Sequence, residues 1–207
     1  MNGDPSEAVN SVREAYGLRA AEYAKVLGNM GATHSADREF VLRWARRCVG
    51  PVIDAGCGPG HWTEFLRLEG IEVEGVDCVP EFISEAEQRY PDTLYRLAVL
   101  PDLEVASGAL RGVLAWYSLI HLPPEQMGAT ITSLAKFLQP GGELALGFFE
   151  GPEIEPFEHA VVTAYFWPIN ELVRHLESAG FEIVEIDMRA DPHARSHGAI
   201  SARLSAR

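Results

Sequence analysis

The chain has 207 residues, 47% hydrophobic and 23% charged, which suits one α/β domain with a proper core and leaves too little for two. Thirty acidic residues against 17 basic ones give a net charge of -13 at pH 7, which repels a phosphate backbone and argues against a nucleic-acid partner. No apolar run nears the roughly 18 residues that cross a bilayer, and the start, Met1-Asn-Gly-Asp-Pro-Ser-Glu7, lacks a basic and apolar leader pattern. No membrane partner is expected, and the expected compartment is the cytoplasm. Cys48, Cys57 and Cys78 are odd in number and scattered, which speaks against disulfides and zinc. His193 and His197 have i, i+4 spacing but lie in a loop after Asp191-Pro192, so no metal is expected. Arg43, Arg46 and Arg47 read as a solvated helix face.

In chain order, residues 11–27 read as a helix with Tyr16, Ala20, Tyr23 and Leu27 on one stripe. Gly28-Asn-Met-Gly31 breaks it. A second helix is expected from Asp37 to Val49, capped by Asp37, with Phe40, Val41, Trp44, Ala45 and Cys48 inward. Residues 51–55 form a short apolar run, as a buried parallel strand should. A glycine turn and a helix from about His61 to Leu68 follow. Strands are expected at 71–76, 93–98, 112–117 and 143–149, with helices at 80–90 and 124–138 between them. A helix from Ile169 to Ala179, closed by Gly180, precedes strands at 181–186 and 198–204. This alternation predicts a three-layer α/β sandwich: a mostly parallel seven-stranded sheet, its last strand antiparallel and added at one edge.

The chemistry concentrates at Asp54-Ala-Gly-Cys-Gly-Pro-Gly60. Gly56, Gly58 and Gly60 let a ligand lie against backbone and permit positive φ. The following helix points its N-terminal N–H groups into the crevice at the strand ends, where ligands settle in open α/β sheets. Tight βα turns also arise for packing alone. Asp77 ends the second strand, where a carboxylate can accept both ribose hydroxyls; it can equally cap the Pro80 helix. Dinucleotide sites use a different glycine spacing and face a pyrophosphate. Asp54 would repel that group and suits a ligand bearing an ammonium, directly or through water.

These residues resemble a known family. Val52-Ile-Asp-Ala-Gly-Cys-Gly-Pro-Gly60 resembles motif I of the class I S-adenosylmethionine-dependent methyltransferases. Gly75-Val-Asp77 resembles their ribose-binding acidic motif, residues 114–124 their fourth motif, and Leu138-Gln-Pro-Gly-Gly142 the turn that follows. The resemblance covers about residues 12–206 and names no substrate. It implies a single methyltransferase domain over 1–207, with 11–49 as lid helices, and S-adenosylmethionine as cofactor, leaving as S-adenosylhomocysteine.

The resemblance also implies roles by position. Asp54, Ala55, Gly56, Cys57 and Gly58 would hold the methionine part, with Gly60, Trp62 and Thr63 beside it. Asp77 would take the ribose. Cys78 and Val79 would flank the adenine, with Ala98, Val99 and Leu100 on its other side. Tyr117 and Ser118 would border the sulfonium, and Tyr16 and Tyr23 would fold over the cofactor. His121 is the candidate general base, its reference pKa near 6.5 suiting proton transfer; an interior histidine is the alternative. Glu150 and Trp167 could line the acceptor pocket, Trp167 equally the core. Leu97-Ala-Val-Leu100 has no side chain able to bond the adenine amine, a departure that leaves the role to backbone or Asp102. The expected partner is a small-molecule acceptor, the expected assembly a monomer or homodimer. Against methyl transfer stand a nicotinamide-dependent oxidoreductase and a non-catalytic scaffold or regulator that keeps the pocket.

Overall fold

The computed structural model describes residues 13–20, 28–100, 103–159, 162–192 and 194–206. Tyr23, Asp102 and His193 lie outside these. Residues 13–17 are helical. Five longer helices follow: α1 (Ser35–Ala45), α2 (His61–Leu68), α3 (Pro80–Arg89), α4 (Pro124–Phe137) and α5 (Ile169–Ser178). The strands are β1 (Val52–Ala55), β2 (Val73–Asp77), β3 (Leu94–Leu97), β4 (Leu110–Trp116), β5 (Leu138–Glu150), β6 (Glu155–Phe157), β7 (Ala164–Trp167), β8 (Phe181–Arg189) and β9 (His197–Leu204).

β3, β2, β1, β4 and β5 lie side by side in that order, all parallel. Every residue of β1 is buried, as in a strand covered on both faces. The period of two sorts side chains to opposite faces. Ile53, Val113, Ala115, Leu144 and Leu146 enter one core with Ile131 and Leu134 of α4 and Leu172 and Leu176 of α5. Val52, Leu114 and Ala145 enter another with Phe40 and Trp44 of α1 and Leu66 of α2. Two cores on two faces make the three-layer sandwich.

Three expectations change. The sheet has nine strands, not seven, because residues 155–157 and 164–167 form the antiparallel hairpin β6–β7. β9 is antiparallel as expected, but it lies inside the sheet, between β5 and β8, and β8 is outermost on that side. Asp37 does not cap α1. The helix starts at Ser35, and Nδ1 of its N-cap His34 accepts from Ala36 N–H at 3.1 Å. Asp37 instead pairs with Arg189 of β8 at 2.6 Å.

The expected turn at Gln139-Pro-Gly-Gly142 is a bulge within β5. Leu110 pairs with Leu138 and Gly112 with Glu143, so Arg111 stands opposite residues 139–142. Farther along, Phe149 pairs with His197 of β9 and with Phe166 of β7. A strand residue has one partner per edge. The β6–β7 hairpin therefore takes the edge that β4 vacates beyond Trp116.

Candidate functional site

The site lies at the C-terminal ends of β1, β2, β4 and β5. The turn after β1 is fastened to β2: Gly56 and Cys57 both donate N–H to the Val76 carbonyl, at 2.7 and 3.0 Å. Gly56, Gly58 and Gly60 all have positive φ, but they serve different ends. A Cβ on Gly56 would stand 2.3 Å from Ser118 Cβ, so glycine there admits the β4 loop. A Cβ on Gly60 would meet Tyr95 Oη at 2.5 Å and Ala86 Cβ at 2.8 Å, so that position serves helix packing rather than the crevice. A Cβ on Gly58 would meet nothing within 4 Å: its backbone borders open space.

Two adjoining cavities meet at this turn. The first, about 970 Å³, is lined by Gly56, Gly58, Asp77, Cys78, Val79, Phe82, Val99, Leu100, Tyr117, Ser118 and His121, among others. The second, about 1170 Å³, takes in Asp54, Cys57, Trp62, His61, Phe149, His159 and His197. Tyr16, Gly56, Gly58, Trp116 and Tyr117 border both. Of the described residues expected from sequence to bind the cofactor, Ala55, Gly60 and Thr63 line neither cavity. Ala55 is wholly buried in the core, and Thr63 is fully buried beneath Asp54.

Asp54 is 2% exposed and accepts from Thr63 Oγ1 at 2.7 Å. Burial pushes its pKa up to about 7, against the pull of that hydrogen bond. Asp77 accepts Gly58 N–H at 2.8 Å with one oxygen and Val79 N–H at 2.9 Å with the other. It thus holds the glycine turn and the entry to α3 together. Burial raises its pKa, the backbone donors working the other way. Burial also keeps the Cys57 thiol protonated, its pKa well above the usual value.

Tyr117 leaves β4 with φ 55°, a left-handed conformation costly for a non-glycine residue. Its hydroxyl shares a hydrogen bond with His197 Nδ1 at 2.5 Å. Ser118 Oγ is buried without a hydrogen-bond partner, as is His159 Nδ1. An unsatisfied buried polar atom costs about 1–3 kcal/mol, so both are sites where an incoming group would be welcomed.

His121 departs from its expected part. Its Nδ1 lies 2.8 Å from the Thr163 carbonyl, which only accepts, so Nδ1 carries the hydrogen. Nε2 then accepts from Tyr16 Oη at 2.8 Å. Burial lowers its pKa to about 4, so the ring is neutral at pH 7 and a weak base. Tyr16 and Ala20 pack on Val79 and Phe82, which seats residues 13–20 over the first cavity. Glu150 is half-buried and Trp167 wholly buried, in the core rather than a pocket wall of either cavity.

Sequence reasoning did not single out His34, His61, Phe82, Phe149, His159 or Arg189 as wall residues. His61 and Phe82 lie in the helices that follow the glycine turn and β2, whereas Phe149, His159 and Arg189 reach the site through sheet pairing and a loop, which leave no local pattern. Arg189 is held by Asp37 at 2.6 Å and Asp191 at 2.7 Å.

A Rossmann-like fold with a glycine turn, a buried acid at the end of β2 and an apolar slot of Val79, Phe82 and Val99 defines a nucleoside-binding domain. Residues 52–142 match a methyltransferase domain. The chain is similar to an uncharacterized methyltransferase, sll0829, of Synechocystis: 28% identical over 142 residues, 64% of this chain and 67% of the relative. It is 30% identical over 135 residues to the malonyl-[acyl-carrier protein] O-methyltransferase of Enterobacter lignolyticus, covering 65% of this chain. The chain spans about half of that relative's length, 52%. In fold it resembles the 1,6-didemethyltoxoflavin-N1-methyltransferase of Burkholderia thailandensis, solved with 1,6-didemethyltoxoflavin and S-adenosylhomocysteine bound. The TM-score is 0.81 at 21% identity, over 100% of this chain and 92% of that one. The methyltransferase match covers less than half of the chain, and the likeness to the solved structure shows that the two share a fold. Among the described residues no helix is long and apolar enough to cross a membrane.

Proposed function

We propose that the chain binds S-adenosylmethionine in the first cavity and transfers its methyl group to a small molecule in the second. The observation that carries this reading is the junction of the two cavities at Gly56, Gly58 and Tyr117. The donor set fits the cofactor. Gly58 leaves open space against its backbone, and Ser118 Oγ is buried without a partner. The Asp77 carboxylate lies at the wall with lone pairs beyond its two backbone donors. Val79, Phe82 and Val99 supply an apolar slot for a flat base. When bound, the cofactor supplies a sulfonium, an electrophile already activated.

The protein's part is then to position the acceptor in line. Held by Gly58, Asp77 and Ser118, the cofactor would supply a methyl group to the acceptor's lone pair, the carbon–sulfur electron pair staying with sulfur. The acceptor's proton leaves to solvent or to a neighbouring base. His121, neutral and bonded on both nitrogens, serves in this reading to seat Tyr16 rather than to take that proton. The acid-rich surface supports a small acceptor over nucleic acid.

Titration calorimetry with S-adenosylmethionine, S-adenosylhomocysteine and NAD tests the cofactor. Binding of NAD alone removes the reading. Asp77→Ala is expected to weaken cofactor binding by roughly 1–3 kcal/mol, the loss of charge-assisted hydrogen bonds; unchanged affinity in a folded variant removes the ribose assignment. Cofactor binding with no labelled product from broad cell extracts would favour a non-catalytic scaffold.

A further inference from the structure

We propose that the second cavity takes a flat, uncharged heteroaromatic or phenolic ring as its methyl acceptor, set against Tyr117 and Phe149 and hydrogen-bonded by His159. The inference rests on the reading that the first cavity holds the cofactor. Three observations support it. First, the wall is made of rings. The centroids of Tyr117 and Phe149 are 5.0 Å apart, and those of Phe149 and His159 6.1 Å, in tilted contacts. Trp62 and Trp116 close the side toward the glycine turn, 5.5 Å apart. Such walls stack planar ligands, whose faces and edges match ring quadrupoles.

Second, His159 Nδ1 is buried at this wall with no hydrogen-bond partner. Burial and the neighbouring Arg195 lower the pKa of His159, so the neutral ring can accept from an N–H or O–H of the acceptor or donate to a ring nitrogen. Third, among the described lining residues no guanidinium is left free for an acidic acceptor. Arg189, the one arginine among the described lining residues, is engaged by Asp37 and Asp191. Arg195 is stacked on Phe157, 4.6 Å from its centroid, and its hydrogen bond goes to the Glu158 carbonyl. A multiply charged aliphatic carboxylate would face Asp37, Asp54 and Asp191 instead.

The test is calorimetry on the full chain saturated with S-adenosylhomocysteine, titrated with 4-hydroxyquinoline and lumazine, and separately with malonate and citrate. Ring compounds should bind and carboxylates should not. His159→Leu and Phe149→Leu should each weaken ring binding at least ~5-fold, the scale of one hydrogen bond or one ring contact. Circular dichroism and S-adenosylhomocysteine titration of the same variants report whether fold and crevice survive. Carboxylates binding as well as rings, rings failing to bind the loaded protein, or rings binding well-folded variants as tightly as the native chain would each overturn the proposal. Absence of S-adenosylhomocysteine binding is a different failure, and removes the cofactor reading on which the proposal stands.

Discussion

The Tyr16 hydroxyl donates to Nε2 of His121 at 2.8 Å, joining side chains 105 positions apart. The bond ties residues 13–20 to the loop after β4, across the border shared by both cavities. Their rings also meet edge to face, with centroids 5.5 Å apart.

Tyr16→Phe keeps the ring on Phe82 and removes the hydroxyl. Net hydrogen bonds contribute about 0.5–1.5 kcal/mol, so cofactor affinity should fall roughly 3- to 10-fold with little change in melting temperature. Cleavage before residue 28 under limited proteolysis should speed up. Unaltered affinity and proteolysis would show the bond to be incidental.

Asp54 predicts a distinctive pH dependence. Its folded pKa, raised to about 7, exceeds the unfolded value of 3.8. Folding therefore takes up a proton between pH 4 and 7, and the native state loses stability as pH rises through that window. The slope for one such group is at most about 1.4 kcal/mol per pH unit. Asp54→Asn should gain stability relative to the native chain from pH 4 to 7, levelling off above, as denaturant melts at several pH values would record.

The buried histidines act in the opposite sense. His61 and His121 have pKa values lowered to about 4 by burial. The unfolded chain takes up their protons first, so stability falls as pH drops from about 6.5 to 4. His121→Gln should shallow the acid side of the stability profile. An unchanged acid limb would mean that the ring is not held neutral.

Two glycines of one turn should answer differently to alanine. Gly58→Ala puts a methyl group into open space at φ 53°. It should cost about 1–2 kcal/mol of stability, the usual strain of that conformation, and more than ~10-fold in cofactor affinity by occupying the cavity. Gly60→Ala meets Tyr95 and Ala86 at φ 82°. Its main loss should be in melting temperature.

Glu143, 2% exposed, accepts from Arg47 at 2.9 Å and Arg203 at 2.7 Å. Glu143→Ala leaves two guanidiniums without their shared anion and should destabilise by about 3 kcal/mol, as broken buried pairs do. Arg47→Ala and Arg203→Ala, each of which leaves Glu143 its other arginine, should each cost less. Chemical denaturation of the three variants orders them.

The central strands and the glycine turn were legible because each is written in neighbouring residues. Val52-Ile-Asp-Ala55 is an apolar run before glycines, and Pro80 opens its helix at the first position. The β6–β7 hairpin was not legible. Glu155-Pro-Phe157 is short and carries a proline, and it pairs only because β5 runs on to Glu150 while β4 has ended. Asp37 looked like a cap because Arg189, its partner 152 positions away, leaves no local sign. His121 sat at the expected place, but burial changed what it can do. Ala55 and Thr63 fell in the right motif and faced the core, since a motif fixes position in the chain better than side-chain direction.

The β6–β7 hairpin joins the parallel sheet through two residue pairings, Phe149 with Phe166 and Glu150 with Trp167. Phe149 and His159 stand at its root and in its loop, while Gly58, Asp77 and Ser118 belong to other connections. Part of the wall facing one ligand is therefore an insertion, while the glycine turn and Tyr117 serve both. Rewriting residues 151–163 would retarget such a scaffold without disturbing the strands that carry its weight.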